Sequence, residues 1–146
     1  MSVTVKDILT FLEEKAPLVL AEKWDNSGLL VGDSHQPVRR ILVTLDITPQ
    51  AVQEAVRLEA DLLISHHPVL FDPMKALSAG TAPWLLARHG LSAICMHTNL
   101  DKAEGGVNDT LASLLGLRDV TVAEDGLCRL GTLDNPLSPE AFVSRV

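Results

Sequence analysis

From Arg40 onward the chain becomes rhythmic without any internal sequence repeat: short runs of β-branched and aliphatic residues are each followed by a helix or a long crossover. Ile41-Leu42-Val43-Thr44-Leu45 is the first run, Leu62-Leu63-Ile64 the second and Leu91 to Met96 the third. Thr48-Pro49 opens a helix with a capping residue and a first-turn proline, and Ala51, Val52, Ala55, Val56 and Leu58 give it an apolar face. Another helix is expected from about Ala82 to Arg88, stopped by Gly90. Strands that read as continuous apolar runs are covered on both faces, and helical crossovers between them imply parallel pairing with right-handed connections. The chain is therefore expected to be an α/β protein, a mostly parallel sheet with helices on both faces.

The flanks extend this frame. Thr4 can cap a first helix, with Asp7 three residues on and Val5, Ile8, Leu9, Phe11 and Leu12 as its apolar residues before Pro17. A short helical piece is expected over Leu18 to Lys23, turn formers fill Trp24 to Gly28, and Leu29-Leu30-Val31 reads as a brief strand. After the third strand come a helix from about Val107 to Leu115, ended by Gly116, and two late strands, Val120 to Val122 and Leu127 to Leu133, around the Glu124-Asp125-Gly126 turn. Ser138-Pro139-Glu140 then opens a helix with room for only about two turns. A helix so short rarely stands alone, so the expectation is the N-terminal part of a longer polypeptide. Residues 1–126 would be an α/β metal-binding domain and 127–146 the start of a second part.

Composition narrows the function. The 146 residues suit one hydrophobic core. Twelve basic against nineteen acidic side chains, a net charge of -7 and 3% aromatic residues supply neither a phosphate-neutralising face nor rings for stacking bases, so no nucleic-acid partner is expected. Two distant cysteines, an N-terminus without a basic-then-apolar layout and the lack of an apolar stretch of roughly 20 residues point to a cytoplasmic protein with no membrane contact. No G-x-G-x-x-G or G-x-x-x-x-G-K-[ST] follows a strand, and Ser65 has no G-x-S-x-G around it, which removes the main support for dinucleotide, P-loop and serine hydrolase readings.

Ligands of open parallel sheets collect beyond the carboxyl ends of the strands. Here those ends are Asp46, then Ser65-His66-His67-Pro68, then His97-Thr98-Asn99-Leu100-Asp101, and three of the five histidines lie there. Adjacent imidazoles in a regular strand point to opposite faces. At a strand terminus that turns, with Pro68 holding His67 extended, each can take one of two ions about 3.5 to 4 Å apart, and Asp101 can bridge them. Two imidazoles with no ligand, one packed and one solvated, are the structural alternative. His97, expected in a loop, can ligate, contact substrate, shuttle a proton or simply be a hydrogen-bonded buried residue. Asp46 is a strand-end ligand or the loop acid before the Thr48 cap, and Gly105-Gly106 an anion rest or a plain helix start. His35 and His89 carry no functional expectation.

Four motifs in one order resemble the Nif-three-like proteins, also labelled GTP cyclohydrolase 1 type 2 homologues. They are Ala21 to Leu29 with its Trp24-Asp25-Asn26-Ser27-Gly28 core, Asp61 to Phe71 around Ser65-His66-His67-Pro68, His97 to Asp101, and Gly105-Gly106-Val107-Asn108-Asp109 leading to Leu115-Gly116-Leu117. The resemblance implies a dinuclear metal centre in a Nif-three-like α/β fold and a ring-like homohexamer. His66, His67 and Asp101 match that family's N-terminal metal ligands. Its remaining ligands, a His and a Glu four residues apart near the C-terminus, have no counterpart, since no histidine follows His97. Two divalent ions each want about four to six donors, more than three side chains supply. The donor set suits Zn, Fe, Mn, Ni or Co alike. The function expected is a metal-dependent hydrolase of a small-molecule substrate in the nucleotide or phosphoester class. The alternative is a metal-binding regulatory or scaffold protein without turnover.

Overall fold

The computed structural model describes residues 2–144. In chain order its elements are α1 (Val5–Lys15), a 3-10 turn at Leu18–Leu20, β1 (Gly28–Val31), β2 (Ile41–Thr44), α2 (Pro49–Arg57), β3 (Leu62–Ser65), α3 (Ala82–His89), β4 (Ser92–Cys95), α4 (Thr98–Lys102), α5 (Val107–Leu114), β5 (Leu117–Val122), β6 (Arg129–Leu133) and α6 (Pro139–Val143). The expected caps form. Thr4 and Asp7 exchange hydrogen bonds in a capping box at the start of α1, the Thr48 hydroxyl accepts from the Ala51 N–H above Pro49, and Gly90 closes α3 with a left-handed φ of 64°.

β2, β3 and β4 are parallel, in register from Ile41 opposite Leu62 and from Leu62 opposite Ser92. The sheet order is β1-β4-β3-β2, and β1 runs antiparallel to β4. The sheet is thus mixed, with one reversed edge strand. A three-residue apolar run carries no information on pairing direction. Alternation along β3 then sorts the core. Leu63 and Ala93 meet Val52 and Ala55 of α2 and Leu86 of α3, whereas Leu62 and Ile94 meet Val5 of α1 together with Ala16 and Met96. Leu62 and Leu63 are fully buried, each contributing about 2 kcal/mol of burial.

Three local expectations are corrected. The helical piece proposed for Leu18 to Lys23 is only the 3-10 turn, and β5 starts at Leu117 because that residue pairs with Leu133. The third correction concerns β2, whose burial is incomplete: Val43 and Leu45 are exposed on the α1 side, because α1 packs over β3 and β4 and ends before it reaches the β2 edge. The hairpin of β5 and β6 is a separate two-stranded sheet, tied to α5 by Arg129, whose guanidinium holds the Asp109 carboxylate.

Cys95, at the end of β4, is 1% exposed and donates to the His66 carbonyl oxygen at 3.0 Å. Burial pushes its thiol up to about 12. Cys128 is exposed, and its hydrogen bond to Asp125 also raises it. A thiol reagent at pH 8 is therefore expected to label Cys128 alone in the native protein and both cysteines after denaturation. Two labels without denaturant would show that the end of β4 opens.

Candidate metal centre

β3 and β4 end side by side, with Ser65 opposite Cys95, so the residues that follow them emerge at one edge of the sheet. His66 and His67 leave β3, and His97 leaves β4. The backbone turns at that point, supported by the Ser65 hydroxyl donating to the His67 carbonyl and the His67 N–H donating to the Leu45 carbonyl. The adjacent imidazoles consequently sit together, 5.1 Å apart between centroids and tilted by 51°, with the His97 ring 5.3 Å from His66 and 5.7 Å from His67.

Each ring has one nitrogen already engaged. His66 Nδ1 lies 3.1 Å from the Met96 carbonyl oxygen, His67 Nδ1 2.7 Å from Asp46 Oδ1, and His97 Nδ1 2.8 Å from Asp25 Oδ1. A carbonyl and a carboxylate oxygen only accept, so each Nδ1 is assigned as the donor, and in the neutral ring that tautomer leaves the Nε2 lone pair for a ligand. Partners of this kind are what orient metal-ligating histidines. One ligand atom from each of the three rings lies within 4.8 Å of the other two, an arrangement that could hold a metal ion. Asp101 Oδ1 lies 3.5 Å from His66 Nε2, close to the roughly 3.3 Å that separates two ligands of one tetrahedral ion. Asp101 is within ion-pair distance of His66 and not of His67, whose carboxylate neighbour is Asp46.

The loop expected around His97 is instead the N-cap of α4, so His97 and Asp101 lie one turn apart. The α4 turn is held from outside by Asp25, whose side chain is fully buried. Asp25 Oδ2 accepts from the Thr98 N–H at 3.1 Å, from the Thr98 hydroxyl and from the Ser27 hydroxyl, while Oδ1 accepts from His97 and from the Asn26 N–H. Burial would raise the Asp25 carboxyl, but the hydrogen bonds from Thr98 and His97 outweigh it and bring its pKa down to about 2. Asn26 donates to the Leu70 carbonyl at 2.6 Å, fastening the same loop to the segment after His67.

Asp25 was unmarked as a chemical group in the sequence, where it reads as one of several turn formers; the available signal was its place inside the Trp24–Gly28 motif. Asp46 is the loop acid two residues before the Thr48 cap, and its carboxylate holds His67 Nδ1. Gly105-Gly106 shows no free cradle: the Gly105 N–H donates to Asp109 Oδ2 and the Gly106 N–H to the Ala103 carbonyl. Asp25, Asp46 and Asp101 together give the imidazole cluster a negative surround suited to a cation.

A family model described as Duf34/NIF3 (NGG1p interacting factor 3) matches residues 3–146. The chain is 37% identical over 119 residues to a GTP cyclohydrolase 1 type 2 homolog of Halalkalibacterium halodurans, covering 79% of this chain and 32% of that protein. It thus spans about a third of the length of the curated relatives it matches. Among solved structures it is similar to a Bacillus cereus protein related to NIF3 (36% identity, TM-score 0.79, 84% of this chain and 35% of that one). It is also similar to reduced HcgD from Methanocaldococcus jannaschii (31% identity, TM-score 0.89, 99% of this chain and 59% of that one). With its family model matched over nearly the full length and its fold shared with these structures, the chain belongs to the Duf34/NIF3 family.

Proposed function

We propose that the protein is a metal-dependent hydrolase with a dinuclear centre, in which His66, His67 and Asp101 are ligands. The observation that carries this reading is the trio of imidazoles, each with Nδ1 tied to an acceptor and each offering one ring nitrogen within 4.8 Å of the other two. Divalent ions bound there would polarise a substrate and lower the pKa of a water molecule. The residues do the positioning. Met96 and Asp46 orient His66 and His67, and Asp101, on α4 beside His66, would be the carboxylate ligand. His97 shares the cluster, and with its Nδ1 held on Asp25 its Nε2 accepts or delivers a proton at the substrate. The relatives' designation as GTP cyclohydrolase 1 type 2 homologs supports a small-molecule substrate of the nucleotide class. Residues 1–126 carry all of these groups; the ligands still needed for two ions would come from further sequence or from neighbouring subunits of a homohexamer, and the cytoplasm is the proposed compartment. Among the described residues no helix is long and apolar enough to cross a membrane.

The test is elemental analysis plus a hydrolysis screen on wild type, His66→Ala and His67→Ala. Each variant is expected to lose metal occupancy by about tenfold or more; the metal-free melt of His67→Ala, whose ring is about half exposed, stays within about 1 kcal/mol of wild type, and that of the more buried His66→Ala within about 2 kcal/mol. Metal-dependent turnover absent from His66→Ala supports the enzyme. Bound metal and intact assembly without turnover on nucleotides, phosphoesters or cyclic amides would favour a regulatory scaffold instead.

A further inference from the structure

The aromatic residues of this chain are few, two Trp, three Phe and no Tyr, yet Trp24 and Phe71 both stand at the mouth of the histidine cluster. Trp24 is 60% exposed and Phe71 48% exposed. Their centroids are 6.1 Å apart with planes at 58°, and the Trp24 ring meets His97 edge-on at 6.4 Å and 77°. Neither neighbour lies flat on the indole, so the pair is a corner and not a closed stack, and more than half of the Trp24 surface stays exposed. The corner is also rigid. Trp24 precedes the buried Asp25, and the Asn26 hydrogen bond to the Leu70 carbonyl fixes the two aromatic loops to each other. An exposed indole gains nothing from burial in the core, but a rigid one loses little entropy on binding a flat partner.

We propose that Trp24, flanked by Phe71, is a stacking platform for a planar heteroaromatic ring of the substrate, and so selects ring-bearing molecules over ringless ones at the site. The assignment deepens the hydrolase reading, on which it rests for the ring's being a substrate. A ring laid on Trp24 lies beside His97, itself a member of the imidazole cluster, so ring recognition and the reacting groups share one mouth. Stacking is tolerant of ring identity because every such ring has a π-face, which leaves discrimination between rings to polar contacts.

The experiment uses the purified protein, with zinc added and again after chelation, and guanosine, adenosine and ribose 5-phosphate as probes. With Trp84→Phe as background, Trp24 is the sole indole, and both nucleosides are expected to quench its emission saturably while ribose 5-phosphate does not. Calorimetry on protein retaining Trp84 gives an independent affinity: Trp24→Leu is expected to weaken guanosine by about tenfold or more, and Trp24→Phe to keep most of it. Equal affinity in Trp24→Leu, equal quenching by ribose 5-phosphate, or an indole that acrylamide cannot reach because protein covers it would each overturn the proposal. Ring binding by a protein that takes up no zinc keeps the platform and removes the hydrolase reading; zinc uptake without ring binding does the reverse.

Discussion

Asp25→Ala is expected to lower stability by about 3 kcal/mol, seen as a fall of about 10 °C in melting temperature, although Asp25 lies in an irregular loop outside every helix and strand. Its fully buried carboxylate satisfies the Thr98 N–H and hydroxyl, the Ser27 hydroxyl, the Asn26 N–H and His97 Nδ1 together. Truncation leaves those donors without an acceptor in a site that water does not reach, and the cost of unmade hydrogen bonds exceeds the net value of made ones. The same truncation frees the His97 ring to change tautomer, so metal affinity falls with stability. Asp46→Ala separates the two effects. Its pair with His67 is about half exposed, so the expected change in stability is within about 0.5 kcal/mol, while loss of the partner that orients His67 weakens metal binding by about tenfold or more. Parallel thermal melts and metal titrations check both. An Asp25→Ala melt as small as that of Asp46→Ala would show that the loop is not braced by this carboxylate.

The contrast between these two acids also explains what was legible beforehand. β2, β3 and β4 and the helices between them follow from local pattern, because Ile41 to Thr44, Leu62 to Ser65 and Ser92 to Cys95 need only apolar continuity and a cap to declare themselves. The strand-end rule then brings His66, His67 and His97 to one edge. The reversed direction of β1 did not follow, since it depends on which edge of the sheet is left free. Nor did α4, a single turn too short to show any period, nor the bare side of β2, which reflects where α1 stops. Asp25 is the clearest case. Its worth depends on Thr98, 73 residues away, and nothing in the spacing of Trp24-Asp25-Asn26-Ser27-Gly28 separates a turn former from a buried brace.

Gly106→Ala is expected to destabilise the protein by about 3 kcal/mol or more, and Gly105→Ala by only about 1 to 2 kcal/mol, although the two residues are neighbours and both once read as the same flexible start to α5. Gly105 has a φ of 71° with nothing within 4 Å of an added Cβ, so alanine there costs only the left-handed backbone. Gly106 has an ordinary φ of -76° that alanine adopts freely. Its difficulty is space. An added Cβ would stand 2.0 Å from the Leu100 carbonyl oxygen and 2.8 Å from that of Ala103, both backbone atoms of the α4 turn that cannot swing aside as a side chain would. Relief requires α5 and α4 to separate, and the residue next to Leu100 is Asp101, so the displacement reaches the carboxylate 3.5 Å from His66. Gly106→Ala is therefore expected to lose metal affinity as well as stability, whereas Gly105→Ala keeps its metal. Denaturant melts and metal titration of both variants decide the matter, and equal losses at the two positions would mean that backbone conformation, not the close approach of the two helices, is what these glycines serve.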